Sequence, residues 1–342
     1  MRVDFSAIEA RLRRFLPPVL EERQKKELNR VQSYIVQFTE YSFAGTQTGD
    51  VLQEAVSSRG KMVRPQLVLM AGRFGTSSDI IMERLYKVAA LVEMTHLASL
   101  IHDDIVDDGT LRRGRSSIQH QYGKSAAVFA GDFLMSRITY YLMREGFNKS
   151  GMVLAKAVEA MCTGEITQAL CKYKMDLTIE AYLQNIYGKT AALFRAACHI
   201  GAIESGCTPE VRMNLEKLGE TLGYMFQMRD DLLDFLPDNR IIGKSSHQDF
   251  REGIYTLPVL YACETNEGKK CLHPYMERNA TSGLTEKELQ EMEQHVMTFG
   301  GMEKTWQTIH AYQEQAEYIL TTLPDRNAIA PLMQLVRKLG SL

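Results

Sequence analysis

Residues 85–109 read LYKVAALVEMTHLASLIHDDIVDDG: an apolar run that ends in four aspartates within six positions. Apolar residues recur at three- and four-residue spacing with no proline, which predicts a buried helix. Each helical residue turns about 100°, so Asp103 and Asp107 sit about 40° apart, one turn along, with Asp104 beside them. Like charges so placed repel by a few tenths of a kcal/mol per exposed pair. A hard divalent cation reverses that sign, because Mg²⁺ takes oxygen ligands, usually one or two carboxylates plus phosphate oxygens and water. A solvated acidic helix end would account for one such stretch. A second occurs at GYMFQMRDDLLDF, residues 223–235, where Asp230, Asp231 and Asp234 repeat Asp-Asp-x-x-Asp behind another apolar helix. Two copies point to metal binding, provided that they face each other across one cavity.

Outward from these stretches the helical period continues. No proline occurs between Pro65 and Pro209, and both GMVLAKAVEAMCTGEITQALC and TIEAYLQNIYGKTAALFRAACHIGAI carry it. Turn signals fall at 74–79, 144–151, 204–210, 237–248 and 279–288, and Thr178 and Thr285 stand where helix N-caps are expected. Strand-like alternation is almost absent. The reading is an all-α chain: one large helical bundle over residues 1–342, opened by an amphipathic N-terminal segment of about 25 residues.

The formal net charge of −2 over 342 residues gives no global pull toward nucleic acid, so anion binding must come from local basic groups. Six cysteines fall at no metal-ligand spacing and read as buried thiols in a reducing compartment. No signal-peptide core and no run of about 18 apolar residues occurs. The expected location is the cytoplasm, with peripheral membrane contact left open.

Magnesium held between carboxylates implies a phosphate ligand, and basic stretches exist to meet it: RGKMVRP (59–65), RRG (112–114), GKT (188–190) and GKSS (243–246). Arginine suits bidentate phosphate recognition, while lysine acts as a point charge. Neither GKT nor GKS belongs to a nucleotide-binding phosphate loop, because Leu183 and Asp238 stand where its first glycine should be and no strand precedes either. Arg112 and Arg113 follow the first aspartates closely enough to share a diphosphate with them. As cations beyond a helix C-terminus they would also balance its dipole.

Together these residues resemble the trans-type isoprenyl (polyprenyl) diphosphate synthases. DDIVDDGTLRRG is similar to that family's first aspartate motif and FQMRDDLLD to its second, with GKMVRP, THLASLIHDD, VFAGDFL, GEITQ, YGKTAALF and TLPVLY in the expected order between about residues 25 and 335. The resemblance implies a helical bundle around a deep apolar cavity, with both motifs at its mouth. It implies that Asp103, Asp104, Asp107, Asp230, Asp231 and Asp234 carry Mg²⁺, about three ions per site, on an allylic diphosphate. Arg112, Lys189, Thr190, Gln227 and Lys244 would contact the same diphosphate. Lys61, Arg64, His96 and Arg113 would hold isopentenyl diphosphate, with Gly60 letting the backbone approach. Two departures stand out. Arg59-Gly60 replaces a double glycine, and Ile254 stands where many members carry a lysine.

In that family a growing chain would run beside the first motif's helix, so Ser99 and Ala98, four and five residues before Asp103, would form its floor. Both are small, where short-chain members resembling this one carry bulk. A helical turn rises about 5.4 Å, close to one isoprene unit. Thr95 and Val92 further up are no large plugs either, which implies six or more units, with heptaprenyl as the best match. HLASLIHDD with DDGTLRRG resembles the catalytic subunits of hexaprenyl and heptaprenyl diphosphate synthases, often paired with a smaller non-catalytic subunit, so both a homodimer and a heteromer are open. The alternatives are a shorter-chain (farnesyl or geranylgeranyl) synthase, a class I terpene cyclase, a helical di-iron carboxylate protein and a non-catalytic partner subunit. DDLLDF does not fit the cyclases' second metal motif. Glu93-x-x-His96 supplies only half of a di-iron pattern. Both aspartate motifs are intact, which argues against a non-catalytic subunit.

Overall fold

The computed structural model describes residues 22–40, 43, 45–57, 60–112, 114–235 and 247–341. The expected N-terminal amphipathic segment lies almost wholly outside these, as do Arg113 and Lys244. Helices α1 (Glu22–Thr39), α2 (Gln47–Ser57) and α3 (Val63–Gly72) lead into α4 (Asp79–Val106), which carries the opening stretch. The Ser78 hydroxyl accepts the Ile81 amide at 3.3 Å and starts α4. Asp107 closes it, donating its N–H to the Asp103 carbonyl at 2.9 Å. A two-residue hairpin follows, β1 (Leu111–Arg112) antiparallel to β2 (Arg115–Ser116), turning through Gly114 at φ 76°.

Next come α5 (Ile118–Tyr122), α6 (Lys124–Arg144), α7 (Asn148–Cys171), α8 (Ile179–Ile186), α9 (Ala192–Glu204) and α10 (Pro209–Asp234), which ends in the second acidic stretch. The remainder is α11 (Gln248–Arg251), α12 (Leu257–Ala262), α13 (Asn266–Thr281), α14 (Glu286–Thr298), α15 (Gly301–Thr321) and α16 (Arg326–Gly340). Both expected caps form. Thr178 accepts the Ala181 amide at 3.1 Å, and Thr285 with Glu288 makes a reciprocal capping box. The proline-free span holds α4 through α9, joined by the hairpin and short turns, with no proline inside any of these helices.

Helix α9 lies between α3 and α10, and α4 packs on α3, α6 and α1. The close approach of α9 to α3 requires a glycine. A Cβ on Gly201 would stand 2.2 Å from the Val68 carbonyl oxygen. The α4 face is buried through Leu85, Val88, Leu91, Val92, Met94, Thr95 and Ala98. This arrangement carries the ends of α4 and α10 to the same end of the bundle.

Candidate active site

The GKT segment sits in a π-helical turn, Tyr187–Ala191, between α8 and α9. Such wide turns insert one residue into a helix and recur at functional sites. Here the turn lies on α7, where a Cβ on Gly188 would stand 2.6 Å from the Ala160 carbonyl. It presents Lys189 to acids from four elements. The ammonium is stabilised by Asp249, Glu165, Asp103 and Asp231, which together outweigh burial and raise its pKa. Asp103 belongs to the first stretch and Asp231 to the second, so one ammonium is subject to both acidic patches.

Each aspartate has its own environment. Burial, then Glu165, pushes Asp103 up to about 7, against the pull of Lys189 and Arg112. Burial, then Glu252, raises Asp107, while Lys189 and Lys172 draw it down. Asp104 is buried and bound by Arg112, whose Nε donates to it at 2.8 Å and whose Nη2 donates to the same oxygen. The hairpin register aims that guanidinium back at α4.

In the second patch Asp231 is only 2 % exposed. It accepts hydrogen bonds from the Tyr182 hydroxyl at 2.5 Å and from Gln227 Nε2 at 2.9 Å. Gln227 is fixed in turn by the Thr190 hydroxyl, which donates to its Oε1 at 2.6 Å. Burial, then neighbouring Asp249, raises the Asp231 pKa. Asp234 accepts the backbone amides of Gln248 and Asp249 at 3.2 and 3.3 Å, anchoring α11. Asp230 is exposed.

Of the expected basic residues, Lys61 lies beside Asp230 and Arg229, with burial and then Arg229 lowering its pKa. It precedes Met62, held at φ 48° in the left-handed region, and the Arg64 guanidinium lies 5.1 Å from the Phe194 ring centroid. His96 is half-buried on α4. Ala98 is fully buried, and the half-buried Ser99 donates its hydroxyl to the His96 carbonyl at 2.9 Å.

Sequence reasoning missed Tyr182, Glu165, Asp249 and Glu252, single residues with no partner at a telling spacing. It also missed Arg229, which donates to the Lys338 carbonyl at 2.8 Å and ties α16 to the end of α10. A cavity beneath the second patch is lined by Tyr182, Lys189, Gln227, Asp231 and Asp249, with Leu177, Ile186, Ile254 and Tyr255 on its apolar side.

Residues 46–292 match the polyprenyl synthetase family. The chain belongs to that family. Among relatives, component 2 of heptaprenyl diphosphate synthase from Geobacillus stearothermophilus is 33 % identical, over 85 % of this chain and 89 % of that one. Octaprenyl diphosphate synthase of Escherichia coli (strain K12) is 35 % identical, over 79 % and 82 %. Among solved structures, a polyprenyl synthase from Caulobacter crescentus CB15, complexed with calcium and isoprenyl diphosphate, superposes with a TM-score of 0.84 at 28 % identity, covering 94 % and 96 % of the two chains. Heptaprenyl diphosphate synthase from Staphylococcus aureus gives 0.83 at 27 %, covering 93 % and 98 %. The chain is therefore a chain-elongating trans-polyprenyl prenyltransferase with the family's all-α fold.

Members of the polyprenyl synthetase family work with a divalent metal, and the donor set here fits one. The side chains of the two patches are carboxylates, and burial, followed by neighbouring acids, raises the pKa values of Asp103, Asp107, Asp231 and Asp234. Among the described residues no three ligating side chains converge on one point. A cation here would thus be held by one or two carboxylates and completed by substrate oxygens and water, the usual arrangement for Mg²⁺.

Proposed function

We propose that this enzyme condenses an allylic diphosphate, farnesyl or geranylgeranyl, with successive isopentenyl diphosphates to a trans long-chain polyprenyl diphosphate, heptaprenyl being the best match. The observation that carries the reading is Lys189, flanked by Asp103 of one patch and Asp231 of the other. One ammonium between two acidic patches is the electrostatic layout that a metal-bound diphosphate needs.

In this reading Asp103, Asp104, Asp107, Asp230, Asp231 and Asp234 form the metal-binding mouth, with Asp104 acting through Arg112. Magnesium, about three ions per site, supplies Lewis-acid withdrawal of charge from the leaving diphosphate. Lys189, Arg112 and Lys244 stabilise the negative charge that develops as the allylic carbon–oxygen bond ionises. Thr190 and Gln227 serve chiefly to hold Asp231. Lys61, Arg64, His96 and Arg113, with the Gly60 backbone, orient isopentenyl diphosphate so that its double bond attacks the allylic cation. A proton then leaves, taken by the released diphosphate. Apolar walls exclude water from the cation. Small Ala98 and Ser99 leave room for the growing chain beside α4.

A partner also belongs to this reading. Helices α6 and α7 expose Phe129, Tyr140, Met143, Met152, Ile166 and Leu170, each between 51 and 75 % accessible. A row of large apolar side chains on neighbouring helices fits a subunit interface, with a second copy or a small non-catalytic subunit. No helix among the described residues is long and apolar enough to cross a membrane. Of the six cysteines expected to be buried, Cys198, Cys207 and Cys263 are, Cys171 and Cys271 are half-buried and Cys162 is exposed; all six are free thiols, which supports a cytoplasmic setting.

The test is mass analysis of products from labelled isopentenyl diphosphate, farnesyl diphosphate and Mg²⁺, with light scattering of the same sample. A ladder ending at six or more units supports the reading. Product that stops at three or four units replaces it with the short-chain alternative. Hydrocarbon formed from the allylic diphosphate alone would assign a cyclase.

A further inference from the structure

Cys171 lines the cavity beneath the second patch together with Lys189, Asp231 and Ile254, and a cation outside the expected set follows it directly in the chain. It is Lys172, the residue that caps the C-terminus of α7. Its ammonium stands 3.7 Å from Glu252. That separation allows an ion pair but is too long for a hydrogen bond, so the contact is readily exchanged.

The backbone around Lys172 is built to hold it there. Tyr173 adopts φ 64°, a left-handed conformation that costs on the order of 1 kcal/mol for a residue with a side chain. In that pose its amide donates to the Gly253 carbonyl at 2.8 Å. Its ring covers Gly253 so closely that a Cβ there would stand 2.5 Å from the ring carbons. Gly253 itself sits at φ 75°. A strained tyrosine and a glycine on different segments are thus clasped face to face, next to Ile254, the position where many family members carry a lysine.

We propose that Lys172, held at the mouth by the Tyr173–Gly253 clasp, exchanges Glu252 for the allylic diphosphate and supplies a cationic contact that Ile254 cannot. The inference rests on the prenyl diphosphate synthase reading above and names a binding residue that the motifs do not contain. A diphosphate competes well with a carboxylate held at 3.7 Å, because it carries more negative charge and more acceptor oxygens for the three ammonium donors.

The test compares wild type with Lys172→Ala, Lys172→Arg and the double variant Lys172→Ala/Ile254→Lys. It reads kcat/KM for the allylic diphosphate and, by calorimetry, the affinity for inorganic diphosphate with Mg²⁺. Loss of one charge-assisted contact predicts a fall of about 10- to 100-fold for Lys172→Ala in both readouts. Lys172→Arg should retain most of the function, and the lysine grafted at 254 should recover at least half of the loss on a logarithmic scale. Melting temperatures should stay within about 2 °C, since the pair with Glu252 is partly exposed. Gly253→Ala, which breaks the clasp, should lower kcat/KM in the wild type but add nothing in the Lys172→Ala background. A Lys172→Ala enzyme that matches wild type in both readouts overturns the inference, as does a loss that neither arginine nor the graft restores. A wild-type enzyme that consumes no isopentenyl diphosphate overturns the functional reading instead.

Discussion

The two acidic patches share one spacing and use it in opposite ways. At the end of α4 the middle aspartate, Asp104, is turned into the protein and bound by Arg112, while Asp103 is half-buried and Asp107 exposed, both with raised pKa values. At the end of α10 the last two are anchored, Asp231 by Tyr182 and Gln227 and Asp234 by backbone amides, leaving Asp230 exposed. The first patch is thus a pair of strained charges on a helix end, and the second is a braced scaffold with one outward carboxylate. Identical motifs do not imply identical duties. What decides is which neighbouring element reaches each oxygen.

The sharpest way to break this comparison is to remove the outward members. Asp103→Ala and Asp230→Ala should each lower kcat by at least about 100-fold, with helix content unchanged by circular dichroism. A variant keeping more than a few per cent of activity would detach its patch from the metal site. The braced members should behave differently. Tyr182→Phe removes a donor from a carboxylate that is 2 % exposed. It should cost about 1–3 kcal/mol of stability together with a moderate loss of activity, measured by denaturant unfolding. An unchanged midpoint would mean that Asp231 is held without it.

Two smaller effects sharpen the picture. Replacing Ala98 or Ser99 by Phe should shorten the product by one or more isoprene units while the first condensation still proceeds. Ala98 is fully buried, so its variant should also lose about 1–3 kcal/mol from overpacking. Unchanged chain length in both would remove the floor argument. The last prediction concerns the metal-free protein. Asp103 carries a pKa raised from 3.8 to about 7, so between those values the folded state holds a proton that the unfolded chain has released. Stability contributed by that proton is present at low pH and lost as pH rises toward about 7. The thermal midpoint should therefore fall across that window, and Asp103→Asn should flatten the fall.

Much of this was legible in the sequence, for reasons that particular residues make plain. The helices show through their apolar period, the aspartates through their repetition, and Thr178 and Thr285 through cap chemistry that acts within three residues. The role of Arg112 on Asp104 was not legible, because the tiny hairpin that aims it has no alternation to read. Nor was the site membership of Glu165, Asp249 and Glu252, since a lone acid looks like solvated surface until folding sets the first two beside Lys189 and the third beside Lys172. The outward apolar row on α6 and α7 was hidden too. A helix with apolar residues on both faces reads simply as buried.

The π turn at Tyr187–Ala191 has a consequence for how this enzyme can vary. It holds one residue more than a regular turn, so deleting any single position there would let the helix revert to ordinary geometry. Helix α9 would keep its phase, because the wide turn absorbs the extra residue, but positions within the turn would shift by up to about 100°, taking Lys189 away from the aspartates. Close packing fixes Gly188 and charge fixes Lys189, and the length of the turn cannot drift either. Descendants of this chain should keep the number of residues between α8 and α9 fixed even where their identities change.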